Sequence, residues 1–150
     1  MLDVLTLGRV RQAAERIAGR GTSVTTTPLL RHVSPRGRVL WLKAESLQPV
    51  GAFKIRGATH MIRALPPGTR GVVAYSSGNH AQAVARAAKS ADIPAVVVMP
   101  VDAPALKRAR TEADGAEVIE VGPDSAERAA RAEAEAERRG YVLVPPYRSE

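Results

Sequence analysis

The sequence predicts an α/β fold with a mainly parallel sheet in three-layer lobes, and three observations carry that expectation. Five short runs rich in Val, Ile and Leu recur along the 150 residues, at 38–43, 71–75, 94–99, 116–121 and 141–144. Segments with helical spacing separate them, and strands alternating with helices of roughly ten to fifteen residues imply βαβ units with right-handed crossovers. The runs are nearly continuous in apolar residues, the pattern of strands covered on both faces.

In chain order, Val10, Ala13, Ala14 and Ile17 share one face of a first helix, and the strand "RVLWLK" at 38–43 follows. After Gly51, helical spacing relates Phe53, Ala58, Met61, Ile62 and Leu65. The turn-rich "PPGTRG" at 66–71 reads as a joint between lobes. Beyond it the alternation is regular, with an Ala-rich helix after Asn79, another between Asp102 and Gly115, and a third over 124–139. That third helix is the best delimited: Asp124 and Glu127 stand at capping-box spacing and Gly140 is a stop signal. The chain thus divides into 1–70, an amino-terminal arm with one strand, 71–144, a small α/β domain, and 145–150, a segment that leaves it.

An apolar fraction of 45% and a charged fraction of 25% fit a soluble, core-forming chain. No run approaches roughly eighteen apolar residues, and the start "MLDVLTLGRVRQ" lacks a basic region followed by an apolar one and a cleavage site. The expectation is a cytoplasmic protein with no membrane partner. The absence of cysteine excludes disulfides, a thiolate nucleophile and Cys-based zinc sites. His32, His60 and His80 show no ligand spacing, so no metal is expected. A net charge of +7 raises a nucleic-acid partner, but the basic residues are scattered among acids and aromatics make up only 3%. Solvated helix faces account for the charge, and no nucleic-acid partner is expected.

Two stretches carry chemistry. In "QPVGAFKIRGA", 48–58, Lys54 follows an uncharged approach in a chain where lysine is scarce, since Lys43, Lys54, Lys89 and Lys107 are its only lysines. Arginine stays protonated in proteins, whereas a desolvated lysine amine can attack a carbonyl. Its cationic neighbour Arg56 would favour the uncharged amine. Lys54 is therefore a candidate Schiff-base former, and a solvated lysine opening a helix is the alternative. In "VVAYSSGNHAQAVA" a strand, a tight turn and a helix follow one another. Such a turn aims backbone N–H groups at one point by the positive end of a helix dipole, and Ser76, Ser77 and Asn79 add polar side chains. Plain strand-to-helix packing, with His80 as a capping residue, fits the same letters.

Together, "ESLQPVGAFKIRGA" (45–58) and "SSGNHAQ" (76–82) resemble the pyridoxal-phosphate enzymes of the tryptophan-synthase β fold, also termed fold type II. "KIRGA" and "GNHAQ" are similar to the threonine/serine dehydratase and serine racemase branch. The resemblance runs from Thr27-Pro28-Leu29 to "VPPY" near the end. It implies that Lys54 forms a Schiff base with pyridoxal 5'-phosphate, with Phe53 packed beside the ring and Asn79 bonded to its phenolic oxygen. It also implies that Ser76, Ser77, Gly78, Asn79 and His80 bind the substrate carboxylate, mainly through their N–H groups. The freed Lys54 amine would remove the Cα proton of L-threonine or L-serine, giving a 2-oxo acid and ammonia. Ser77 would be a second base on the opposite face in a racemase. A non-catalytic fragment that binds an amino acid or a partner chain is the alternative from another class.

The resemblance places the family's phosphate-binding glycine run downstream of these residues, and the nearest glycines, "GRGT" at 19–22, lie before the match begins. The expectation is the amino-terminal half of a bilobal enzyme, truncated or split. Residues 71–144 would be a complete small lobe and 1–70 an incomplete part of a large one. Apolar surface around Leu40, Trp41 and Leu42 and an unpaired strand edge would follow. Such a chain would bind cofactor poorly alone and would self-associate or pair with a complementing carboxy-terminal half.

Overall fold

A computed structural model describes residues 6–19 and 21–146. Its elements are α1 (Leu7–Ile17), β1 (Leu29–Val33), β2 (Val39–Lys43), a single 3-10 turn (Glu45–Leu47), α2 (Lys54–Arg63), β3 (Val72–Tyr75), α3 (Asn79–Ser90), β4 (Ala95–Pro100), α4 (Ala105–Ala113), β5 (Glu117–Val121), α5 (Ser125–Arg139) and β6 (Val142–Val144). Of the segment expected to leave the small domain, 147–150 lie outside the described residues.

Four strands form one sheet in the order β5-β4-β3-β6, parallel throughout, with Val72 opposite Ala95 and Val142. Alternation along the strands sends side chains to two faces. Val72, Ala74, Val97 and Met99 pack with Ile55, Ala58 and Ile62 of α2 and with Ala81, Val84 and Ala88 of α3. On the other face Val73, Val96 and Val98 meet Ala132 and Ala136 of α5. This is the three-layer α/β architecture that the near-continuous apolar runs implied, and each Val so buried contributes roughly 1.5–3 kcal/mol. The first core includes Val50, Ile55, Ala58 and Ile62, so it extends across the 66–71 joint into the amino-terminal arm.

The expectation for 38–43 needs correction. β2 is covered on neither face: it pairs only with β1, antiparallel, and both strands are exposed along their whole length. The arm therefore carries two strands. β1, "LLRHV", escapes a periodicity reading because Arg31 and His32 interrupt its apolar residues. A tight turn joins the pair, with the Ser34 N–H donating to the Arg38 carbonyl at 2.9 Å and Gly37 at a φ of 73°. The apolar surface expected around Leu40, Trp41 and Leu42 is present and extends to Leu29, Leu30, Val33 and Val39.

α1 forms where its spacing placed it, capped by the Thr6 hydroxyl, but it buries no residue. Arg63 of α2 holds its far end by donating to the carbonyls of Arg16 (2.9 Å) and Ala18 (3.0 Å), which have no partner inside the helix. α5 begins and ends at the residues named from sequence: Asp124 Oδ1 accepts from the N–H groups of Ala126 and Glu127, and Gly140 adopts the left-handed conformation. No helix among the described residues is long and apolar enough to cross a membrane.

Candidate functional site

The site grows out of the carboxyl end of β3. The ladder continues one residue past the strand, where the Ser76 N–H donates to the Val98 carbonyl at 3.1 Å. The chain then turns through Ser77 and Gly78 and enters α3 at Asn79. The Gly78 N–H is taken by Ser76 Oγ at 3.1 Å. Those of Ser77, Asn79 and His80 find no acceptor among the described residues. They lie at the amino terminus of a twelve-residue helix whose first turn holds no acidic residue. Unspent donors and the helix dipole together make an anion seat. It lies beside β6, where the strand order reverses, the crevice in which open α/β sheets bind ligands.

His80 locks this turn to the sheet. Its ring is buried and Nε2 donates to the Val144 carbonyl at 3.0 Å. Burial pushes its pKa down, the Val144 carbonyl opposes that shift, and the nearby Lys54 charge reinforces it. The imidazole is thereby held neutral and structural, so what His80 offers a ligand is its backbone N–H.

Lys54 arrives from the other side of the joint. It opens α2, whose position is fixed by burial of Ile55, Ala58 and Ile62, and its half-buried Nζ donates to the Pro146 carbonyl at 3.1 Å. Phe53 stands next to it, with Nζ 5.8 Å from the ring centroid. Behind them, Glu45 grips Arg56 with two contacts of 2.8 Å and accepts from Thr27 Oγ1 at 2.6 Å. Buried Gln48 pairs with the backbone of Thr25 on both sides, accepting at 3.1 Å and donating at 2.9 Å. The uncharged approach to Lys54 is thus anchored to the strand entry. Arg56 does not serve as the cationic neighbour expected from sequence, because Glu45 matches its charge. The Arg56 guanidinium in turn holds the Glu45 carboxyl down at about 2.

One cavity of about 600 Å³ is lined by Phe53, Lys54, Ser76, Ser77, Gly78, Asn79 and His80, so every residue singled out from sequence meets there. Tyr75, Ser125, Arg128 and Pro146 complete the wall. None of these four has a site role assigned from sequence, nor does Lys107 of α4, which donates to Asn79 Oδ1. With its carbonyl oxygen so occupied, the Asn79 amide has its NH₂ left to donate.

An aldehyde-bearing aromatic ring fits this lining: an amine to bind the aldehyde carbon, a phenyl side chain beside it, an amide donor for a ring oxygen, and N–H groups for a carboxylate. A phosphate dianion has no comparable cradle here. Gly78 is the single glycine on the wall among the described residues, and no run of glycine amides converges on the cavity. No cluster of metal-ligating side chains occurs among the described residues.

Comparison with known proteins agrees with this chemistry. A family described as "Pyridoxal-phosphate dependent enzyme" matches residues 21–150. The L-threo-3-hydroxyaspartate ammonia-lyase of Saccharomyces cerevisiae is 43% identical over 149 residues, covering 96% of this chain and 45% of that protein. The structure of maize serine racemase superposes with a TM-score of 0.87 at 39% identity, over 96% of this chain and 44% of that one. A threonine deaminase from T.th. gives 0.84 at 41% identity, over 97% and 46%. The chain spans less than half the length of each of these proteins. Family match, sequence identity and fold agree: the chain belongs to the pyridoxal-phosphate dependent enzymes, in the group that holds ammonia-lyases and amino-acid racemases of fold type II.

Proposed function

We propose that this chain provides the lysine and the carboxylate seat of an enzyme that eliminates water and ammonia from a β-hydroxy amino acid, L-threonine or L-serine. The observation that carries the reading is the convergence of Lys54 and the 76–80 turn on one cavity. Pyridoxal 5'-phosphate, when bound, supplies the electron sink that makes the Cα proton removable. Lys54 Nζ would hold its aldehyde carbon, and the Asn79 NH₂ would donate to its ring oxygen. The N–H groups of Ser77, Asn79 and His80 would orient the substrate carboxylate, fixing which Cα bond faces the amine. Lys54, once displaced by substrate, would take the Cα proton. Ser77, exposed on the turn, would act as the base on the opposite face if the reaction is racemisation.

In this reading 71–144 is the small lobe, 1–70 belongs to a larger one, and a complementing half brings the phosphate seat. The enzyme acts in the cytoplasm on a small amino acid, with no nucleic-acid partner. Titrating the purified chain with pyridoxal 5'-phosphate tests the lysine: a Schiff-base absorption band should grow, saturate only at high cofactor concentration for want of the phosphate seat, and vanish in Lys54→Ala. A band unchanged by Lys54→Ala overturns the assignment. In the chain supplied with a complementing half, 2-oxo acid formation identifies the lyase, and D-amino acid without 2-oxo acid identifies the racemase.

A further inference from the structure

The lysine and the donor turn are tied to one stretch of chain at the end of β6. His80 Nε2 donates to the Val144 carbonyl at 3.0 Å, and Lys54 Nζ donates to the Pro146 carbonyl at 3.1 Å, two residues farther along. Two extended residues span at most about 7 Å, so this stretch sets the amine beside the turn. The Lys54 charge reaches the His80 ring, where it helps to lower the pKa. Across from the amine, the N–H groups of Ser77, Asn79 and His80 find no acceptor among the described residues. No Asp or Glu of the described residues lines the cavity, so an anion entering it meets no repulsion from the wall. An amine beside a carboxylate seat is what a 2-oxo acid requires, because its electrophilic carbonyl carbon is bonded directly to its carboxylate. Such a ligand needs no phosphate cradle, and the described residues supply none.

We propose that Lys54 and the 76–80 turn also form a Schiff-base site for a small 2-oxo acid, taken up directly and without pyridoxal 5'-phosphate. This capture shares the lysine and the carboxylate seat with the elimination reading, and it uses neither the cofactor nor a hydroxyl on the ligand. The turn N–H groups would hold the carboxylate at about 2.9 Å and so present C2 to Nζ. Nζ attacks C2 to give a carbinolamine, and the C2–O bond then breaks with the oxygen leaving as water. An ammonium and a ketone thus become an iminium and one water, with no change of oxidation state and no further reactant. Phe53, whose ring centroid lies 5.8 Å from Nζ, offers an apolar neighbour to a hydrogen or methyl on C2. A 2-oxo acid is also the product class of the proposed elimination, so product and cofactor compete for the same amine.

The test is trapping on the purified chain without cofactor, using pyruvate and cyanoborohydride followed by peptide mapping. The carboxyethyl adduct should accumulate on Lys54 to about tenfold its level on Lys43 and Lys89, both of which are exposed. Methyl pyruvate keeps the ketone but has no carboxylate charge, and it should label the three lysines without preference. Propionate, a carboxylate with no ketone, should protect Lys54 from pyruvate and leave Lys43 and Lys89 unaffected. Equal labelling of the three lysines by pyruvate, a Lys54 preference that methyl pyruvate shares, or no protection by propionate overturns the proposal. If pyridoxal 5'-phosphate still favours Lys54 in that event, the elimination reading stands without the direct site. If neither pyruvate nor pyridoxal 5'-phosphate favours Lys54, both fall together.

Discussion

β2 and β4 are both short and apolar, yet "VLWLK" lies exposed along its length while "AVVVMP" is buried at every position. The difference lies in connection and neighbours. β4 sits between two parallel strands whose crossover helices cover both faces of the sheet, whereas β2, among the described residues, pairs with one antiparallel strand through a tight turn. Apolar composition shows that a strand is to be covered, and topology shows whether the cover is in the same stretch of chain. The candidate cavity joins the two regions. α2, which follows the hairpin, carries Lys54 into a cavity whose anion seat belongs to the sheet.

Mutations in the two strands should separate them most strongly. Met99→Ala in β4 removes a fully buried side chain and should cost about 2–5 kcal/mol in urea unfolding, while Leu40→Ala in β2 should stay within about 0.5 kcal/mol. Equal costs would break the comparison and mean that the hairpin is covered in solution. A smaller but direct reading comes from Trp41, the sole tryptophan, 61% exposed. Its emission should be red-shifted and readily quenched by acrylamide in the isolated chain, and should move to the blue when a complementing half is added. Quenching as weak as that of a core residue would contradict an open hairpin.

The smallest effect is on pH. Burial lowers the pKa of His80 in the folded chain, so the unfolded chain binds the proton more readily. Its contribution is therefore complete above the ordinary histidine value of 6.5 and is lost as pH falls below it. His60, also lowered chiefly by burial, acts in the same window, whereas Glu45, held at about 2, loses its contribution only between 4.5 and that value. Unfolding midpoints should be flat above neutrality and decline on acidification from about 6.5. His80→Gln should flatten part of that decline; an unchanged profile would mean that the ring is not held neutral.

What could be read in advance follows the same division. The strands over 71–144 and their helices are local patterns in which burial, spacing and caps agree, so Asp124 and Gly140 delimit α5 in the sequence as they do in the fold. Lys54 and the Ser-Ser-Gly-Asn turn are legible because each is a compact motif. Arg128 and Pro146, which line the cavity, and Lys107, which meets Asn79, are not, because the topology of the sheet brings them there and they look like ordinary surface residues in the text. The role of Glu45 is hidden for a related reason: its effect on Arg56 depends on a bend between the 3-10 turn and α2 that no local spacing reveals.

The central claim is that Lys54, rather than a more accessible amine, is the one prepared for an aldehyde. Incubation with pyridoxal 5'-phosphate, reduction with borohydride and peptide mapping tests it directly, since Lys43 and Lys89 are both exposed and compete for the same reagent. The account predicts that the reduced adduct concentrates on Lys54 at cofactor levels that leave Lys43 and Lys89 unmodified. An adduct spread over the exposed lysines, with Lys54 carrying no more than they do, would contradict it.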